Sequence, residues 1–529
     1  MATVKSEKDT KAAKNTKAVK DTKAVKNKKA DPKKGAEKKQ KACVILFILQ
    51  LIGAVLLTVS LISSDMIPAL YLVALVSIEV ILLVVSWELF FLKASESGPK
   101  ALAARRIIAG VISIVIFILG AIVAFALDKA SDTLREITSQ KTVTTVVGVY
   151  VLKDDPAQDI TDAADYNFGF SNAYDEKSTQ DTIKSIKKKI GKSPKTEEYE
   201  VAMTMVDALY EGDVDAIVLN ESYTSIVEDQ KKYEDFSKKT KLIYEYESTT
   251  LANGKDNKKS GDLSKFVVYL SGSDTRSKTL KVSRSDVNIL MVVNTETKEI
   301  LLVNTPRDYY VPTAASKNGA RDKLTHCGIY GIDCSMKTLS NLYDLDIDYY
   351  AQINFTGFET LIDAIGGVTV KSDTAFTAYT DHDVHIQKGE NHLNGKQALG
   401  FARDRHHQPG GDNDRGKNQM KVIAAVIDKL SAGTILKNYT DILESMEGMF
   451  VTDMSKADIN ALVKMQLKDM SSWDIHSCAV TGSDGSNTTY STPGSKAYVM
   501  NPNEESVDKV SELIDRVLDG EKLTKNDLK

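Results

Sequence analysis

Residues 283–294 read SRSDVNILMVVN, and this stretch decides the fold. Val287–Val293 is a short apolar run too brief for a helix of ordinary length, and it reads as a strand. Arg284 and Asp286 stand immediately before it. Similar short apolar strands recur on either side, at Phe266–Leu270, Glu299–Val303 and Tyr349–Ile353. Helical patterns lie between or after them, notably Phe358–Ile365 and Gln419–Leu430, and a last helix near Ser506–Leu518 is expected to close the domain. Strands alternating with helices imply an α/β domain, a central sheet flanked by helices on its faces, over residues 265–529. Gly366-Gly367 would form the turn from the Phe358–Ile365 helix into a strand at Val368–Lys371.

Working toward the N-terminus, Ala252–Ser264 (ANGKDNKKSGDLS) is a polar linker. Residues 140–250 form a smaller α/β accessory unit. Thr142–Leu152 and Asp215–Leu219 read as strands, and Thr182–Ile190 and Glu197–Leu209 as helices, with another helix after the second strand. Before it come three apolar stretches within residues 42–128, at Cys43–Ser63, Ile67–Ser86 and Ile107–Leu127, each near the roughly 20 residues a bilayer crossing needs. Ser64, Asp65 and Met66 turn the chain between the first two, with Pro68 just beyond. Three consecutive spans exclude a cleaved signal peptide. Residues 1–41 hold fifteen Lys against five acids in a six-residue repeat (KDTKAA, KNTKAV, KDTKAV, KNKKAD). Such a segment lacks the apolar surface to fold and is expected to be disordered. Lys93, Lys100, Arg105 and Arg106 lie between the second and third spans. Positive charge at both places puts the tail and that loop in the cytoplasm, and exports everything after Leu127. The whole chain is −4, so the exported part carries about −14. A Lys-rich tail against a membrane span fits anionic lipid better than nucleic acid.

Arginine usage points to the chemistry. Residues 276–415 contain seven Arg and nine Lys, while the rest of the chain contains four Arg and forty-eight Lys. A guanidinium stays charged and presents a rigid fork that matches two phosphate oxygens, whereas Lys is a flexible point charge. Structural Arg–carboxylate pairs would account for one or two of these residues, but not for where they sit. Arg276, Arg284 and Arg307 flank strand ends, each near a carboxylate (Asp274, Asp286, Asp308). Arg403, Arg405 and Arg415 lie in FARDRHHQPGGDNDRGKNQ, 401–419, with Asp404, Asp412 and Asp414. Arg403 and Arg405 are two apart and would share a face if extended. The Gly410-Gly411 turn would return Asp412 and Arg415 toward it. Clustered Asp binds hard cations, so a pyrophosphate shared between guanidinium groups and Mg²⁺ or Mn²⁺ is the natural ligand, with Asp274 and Asp286 as metal ligands. No G-x-x-x-x-G-K-[ST] phosphate loop is present.

All seven His follow residue 325. His382 and His385 with Asp381 and Asp383 read as a polar surface loop rather than a metal cluster. His406 and His407 follow the Arg pair, as support or as exposed residues, and His326, near Lys323, is a weaker candidate for the site lining. Cys327 and Cys334 are spaced to allow a disulfide, although buried thiols are the simpler reading. The four cysteines make no zinc spacing.

These residues resemble the LytR–CpsA–Psr phosphotransferases of bacterial cell envelopes. The matching strings are SGSDTR (271–276), SRSDVNILMVVN (283–294), LLVNTPRDYYV (301–311), KLTHCGIYG (323–331), INFTGFETLIDAIGGVTV (353–370) and FARDRHHQPGGDNDRGKNQMKVI (401–423). Three spans followed by an accessory unit look like the family's streptococcal capsule-linked branch. The resemblance implies an enzyme that moves a glycopolymer, here capsular polysaccharide, from a polyprenyl-pyrophosphate carrier in the membrane to a peptidoglycan hydroxyl, using Mg²⁺. It implies metal ligation by Asp274 and Asp286, and catalytic roles for Arg284, Arg307, Arg403, Arg405 and Asp412. Arg415, Gln419, Lys323 and, more weakly, Arg276 would bind substrate. It also implies an apolar tunnel for the lipid, whose lining carries the same pattern as core and is not assigned. Asn418 stands where many members have Arg, and Cys327 where Ala is common. Competing readings are a membrane regulator of envelope genes, a carrier pyrophosphatase, and a lipid-binding module without turnover.

Overall fold

The computed structural model describes residues 32–91, 99–139, 142–173, 175–251, 262–408, 410–430 and 435–528. The tail through residue 31, Lys93 and linker residues 252–261 lie outside them. The chain divides into two compact units, residues 1–54 with 79–118, and 55–78 with 119–529.

Three helices, Pro32–Ser64, Ala69–Phe91 and Pro99–Ser139, contain the stretches long and apolar enough to cross a membrane. Within the first unit they pack through Cys43, Phe90 and Ala109, and Ser113 Oγ donates to Gln50 Oε1 at 2.9 Å. Asp65, in the left-handed region (φ 49°), makes the expected turn between the first two helices. The third helix runs past the expected end at Leu127. Its 41 residues, at 1.5 Å each, span about 60 Å, roughly twice a bilayer core. In the second unit its last turns (Ala130, Leu134, Ile137) pack on Leu443. Helix Lys456–Asp469 grips the turn between the first two spans: Asn460 donates to the Ser64 carbonyl at 2.8 Å, Lys464 pairs with Asp65 at 2.8 Å, and Val463 and Leu467 bury Met66.

Residues 142–251 contain a five-stranded mixed sheet in the order Lys195–Glu198, Asn167–Phe170, Ala216–Asn220, Thr142–Leu152, Thr240–Leu251. Helix Glu176–Ile190 begins six residues earlier than its pattern suggests, because Asp175 caps it by accepting from the Ser178 amide. The expected helix at Glu197 starts only at Ala202. Residues 195–198 (KTEE) are instead an exposed edge strand paired in parallel with 167–170. Polar side chains carry no strand periodicity there, so backbone pairing sets the element, helped by Asn172 Nδ2 donating to Glu198 at 2.9 Å.

The larger sheet has six strands in the order Phe450–Thr452, Tyr349–Asn354, Lys265–Ser273, Ser285–Asn294, Glu299–Asn304, Asp474–Ala479. Side chains alternate between two cores. Val267, Tyr269, Leu290, Val292, Leu301 and Val303 face helices Ile332–Tyr343 and Glu504–Leu518. Phe266, Val268, Ile289, Val293, Ile300 and Leu302 face helix Asp412–Lys429. Burial on both faces explains why these strands are continuously apolar. Gly366 and Gly367 (φ 77° and 78°) form the turn between helix Phe355–Ala364 and strand Val368–Ser372, where a side chain would be strained.

Candidate active site

The pairing directions bring four strand ends to one edge of the six-stranded sheet. Ser273, the last residue of its strand, pairs with Ser285, the first of the next. Asn354 pairs with Ser273 in parallel, and Asn304 pairs with Ile289. Asp274, Arg284, Asp286, Arg307 and Phe355 therefore emerge together. Buried hydroxyls brace this edge from below: Tyr269 donates to Asn288 at 2.6 Å, Ser271 Oγ lies 2.8 Å from Ser285 Oγ, and Ser273 Oγ 2.6 Å from Ser283 Oγ. Burial pushes the Tyr269 hydroxyl up to about 12, so it stays a neutral donor. Turn residues Leu324–Tyr330 close against the Arg284 backbone because residue 328 is glycine. A Cβ there would lie 2.5 Å from the Ser283 carbonyl oxygen.

The charges form a ring of ion pairs, open between Asp274 and Asp286. Asp229 lies 3.0 Å from Arg284, Arg284 3.5 Å from Asp274, and Asp286 3.1 Å from Arg307. Arg307 lies 3.4 Å from Asp308, Asp308 3.2 Å from Lys323, and Lys323 4.0 Å from Asp229 again. Every link pairs opposite charges, and across the opening the charge of Asp286 acts on Asp274. Arg415 hangs on the ring, donating to the Asp286 carbonyl at 3.4 Å and pairing with Asp412 at 2.8 Å, and Thr325 donates to Asp286 at 3.3 Å.

The two facing carboxylates behave oppositely. Burial raises Asp286, but Arg307, Arg284 and Arg415 outweigh it and hold the group well below the usual carboxylate range. Burial and then the charge of Asp286 raise Asp274, and Arg284 offsets this only in part. Asp274 thus carries a charge that the protein alone does not neutralise. Two carboxylates beside guanidinium groups suit Mg²⁺, which takes one or two protein carboxylates and completes its shell with phosphate oxygens and water. Among the described residues no group of three or more His, Cys, Asp or Glu forms a metal cage.

Arg403 and Arg405 are placed differently from the sequence expectation. Arg403 is not in an extended segment. It ends helix Gly395–Arg403, and Asp404 leaves that helix in extended geometry (φ −72°, ψ 124°). Arg403 lies over the Phe355 ring, 4.1 Å from its centroid. Arg405 is exposed, yet near enough for its charge to act on Arg415. No carboxylate of the described residues pairs with either. Burial and then the neighbouring Arg276 lower Arg403, the signature of cations gathered with too few anions. Arg276, also over Phe355, is held at the rim by Glu359 at 3.1 Å.

Helix Asp412–Lys429 starts seven residues before its apolar pattern does, so Asp412, Arg415 and Gln419 lie on its first turns rather than in a loop. Gln419 donates to the Ala402 carbonyl at 3.3 Å, bracing the end that carries Arg403. His326 is buried and bonded through Nδ1 to Asp322 at 2.6 Å. His407 bonds Asp404 at 2.9 Å, and the His406 ring lies tilted against Tyr379, 4.0 Å between centroids. Cys327 and Cys334 are free thiols. Asp229, Thr325 and Phe355 escaped the sequence reading. Asp308 was noted there only as the carboxylate beside Arg307, without a role, and Asp229, in the other sheet's unit, carried no local signal.

A model of the LytR_cpsA_psr family matches residues 220–514, more than half of the chain. The chain belongs to the LytR_cpsA_psr family. A polyisoprenyl-teichoic acid–peptidoglycan teichoic acid transferase, TagU of Bacillus mycoides, is 33% identical over 206 residues, 39% of this chain and 66% of that protein. TagU of Enterococcus faecalis is 32% identical over 234 residues, covering 44% of this chain and 75% of that protein. The chain spans just under two thirds of the first of these relatives. The crystal structure of B. subtilis TagV is 28% identical and covers 48% of this chain and 97% of its own, with a TM-score of 0.41. Within this LytR_cpsA_psr member, the six matching strings supply the whole ring except Asp229.

Proposed function

We propose that the protein transfers a glycopolymer from a polyprenyl-pyrophosphate carrier to a peptidoglycan hydroxyl. One observation carries the reading: the unpaired guanidinium groups of Arg403 and Arg405 stand beside a ring whose other cations are already matched by carboxylates. Such a site is complete only with a multiply charged anion. The acceptor oxygen bonds to the sugar-linked phosphorus, and the bond from that phosphorus to the bridging oxygen breaks. Polyprenyl phosphate leaves with the electron pair, and the hydroxyl proton passes to a site carboxylate or solvent. Charge builds on the equatorial oxygens and on the leaving phosphate, where guanidinium groups preset by Asp286, Asp412 and Phe355 stabilise it most. Asp274 and Asp286 are the residues suited to hold Mg²⁺ or Mn²⁺, which when bound would neutralise phosphate charge.

The basic tail and loop favour a cytoplasmic N-terminus and an extracytoplasmic site, where membrane carrier and peptidoglycan meet. Capsular polysaccharide is the polymer favoured by the three-span, accessory-unit arrangement. Teichoic acid is the second reading, favoured by what the relatives are named for. The test compares wall-attached and released polymer in cells carrying Arg403→Ala. Attached polymer should fall, with the transfer rate in vitro down about 100-fold, and its sugar composition identifies the polymer. Free polymer as the wild-type product would instead mark a hydrolase. Attachment that survives Arg403→Ala but not deletion of residues 1–41 would mark a regulator.

A further inference from the structure

Helix Glu221–Glu228 ends on Asp229, where an acidic residue is locally disfavoured. The unpaired carbonyls of a helix C-terminus carry partial negative charge, so a carboxylate there needs compensation from elsewhere. Asp229 finds it in the neighbouring sheet's site, 3.0 Å from Arg284 and 4.0 Å from Lys323. The helix is fastened in that pose. Ser222 donates to the Val282 carbonyl at 2.6 Å, and the Tyr223 and Tyr330 hydroxyls are 3.0 Å apart. Two residues earlier in the chain than Arg284, the Val282 amide donates to the Thr144 carbonyl at 3.0 Å. The strand end that carries Arg284 and the helix that carries Asp229 are thus held as one piece.

Arg284 is shared between two carboxylates. Its Nη1 donates to Asp229 at 3.0 Å and its Nη2 to Asp274 at 3.5 Å, so Asp229 is the closer partner. The Arg284 side chain is only 13% exposed and its Nε is buried without an acceptor. A guanidinium so enclosed must keep a carboxylate. If Asp229 were removed, Asp274 would be the carboxylate left within reach, and Arg284 would close on it. The charge that Asp274 offers a cation would then be spent on a guanidinium.

We propose that Asp229 is a positioning residue: it holds Arg284 outward and so keeps Asp274 available to a divalent cation. The accessory sheet thereby completes the site that the larger sheet builds. The inference rests on Asp274 and Asp286 being the cation ligands.

The test uses full-length protein in detergent and Mn²⁺ alone as probe, with binding followed by electron paramagnetic resonance. Asp274→Asn should abolish binding. Asp229→Asn should weaken it about tenfold, as loss of a group orienting a metal ligand does, and Asp229→Glu should restore it. In a double-variant cycle, Asp229→Asn should cost nothing further once Arg284 is already Gln, because its effect passes through Arg284. Asp229 is 39% exposed, so the fold should tolerate Asn, and Asp229→Ser gives an independent second removal. If Asp274→Asn loses Mn²⁺ while Asp229→Asn and Asp229→Ser bind like wild type, Asp229 only docks the two sheets and the inference falls. An equal loss with and without Arg284 would also overturn it, showing a direct charge effect. If Asp274→Asn still binds Mn²⁺, the cation-site reading fails and the inference fails with it.

Discussion

Asp274 and Asp286 carry the same side chain on neighbouring strand ends, yet their environments make opposite demands. Asp286 has three guanidinium groups acting on it, and its folded-state pKa is depressed. Its contribution to stability is therefore present above the unfolded carboxylate value and lost as pH falls through the depressed one. Asp274 is raised by burial and by Asp286. Whatever its protonated form contributes is full below the unfolded value and lost as pH rises through the raised one, so at neutral pH its charge is a cost. In chelator at neutral pH, Asp274→Asn should raise the melting temperature and Asp286→Asn should lower it. Both should cut transfer about 100-fold, because both remove ligand chemistry. Calorimetry of the two variants checks the signs, and the same sign for both would refute the account. A residue kept at a stability cost is the expected mark of a functional site.

At the scale of elements, the central strands were legible because burial on both faces writes a continuous apolar run, and the three spans because hydrocarbon demands one. Elements held by backbone pairing or caps were not. The edge strand Lys195–Glu198 has a composition that fits a helix, and the starts of helices Glu176–Ile190 and Asp412–Lys429 precede their apolar periodicity. That early start matters for the site, since it puts Arg415 on a helix face against Asp286 rather than in a loop. The arginines stood out from a Lys-rich background, whereas Asp229 looked like any exposed acid of a separate unit. Close approach between elements was equally silent. Gly328 lets the turn Leu324–Tyr330 lie against the start of strand Ser285–Asn294, with ideal Cβ distances of 2.5 Å to the Ser283 carbonyl oxygen and 2.6 Å to the Ser285 amide nitrogen. Both are backbone atoms, so no rotamer change relieves the clash. Gly328→Ala should destabilise the protein by about 1–3 kcal/mol and lower transfer by shifting Arg284. Wild-type melting and activity in that variant would show that the two elements have room to spare.

Over the whole molecule, charge is sorted along the chain. The first 41 residues carry +10, the loop between the second and third helices is basic, and residues 128–529 carry about −14. The net acidity of the last part makes its arginine-rich edge a local exception, which is what the proposed pyrophosphate-linked substrate would need against a surface of like charge. An odd number of spans separates the two parts, so a cytoplasmic tail requires an external site. Introduced thiols test this directly, because the native ones make a quiet background: Cys43, Cys327 and Cys334 are buried, and burial pushes the Cys478 thiol up to about 12. Lys38 and Lys192 are both exposed. In intact cells a membrane-impermeant maleimide should label Lys192→Cys, and should reach Lys38→Cys only after permeabilisation. The reverse pattern would place the arginine edge in the cytoplasm, away from peptidoglycan, and transfer to the wall could not then be its chemistry.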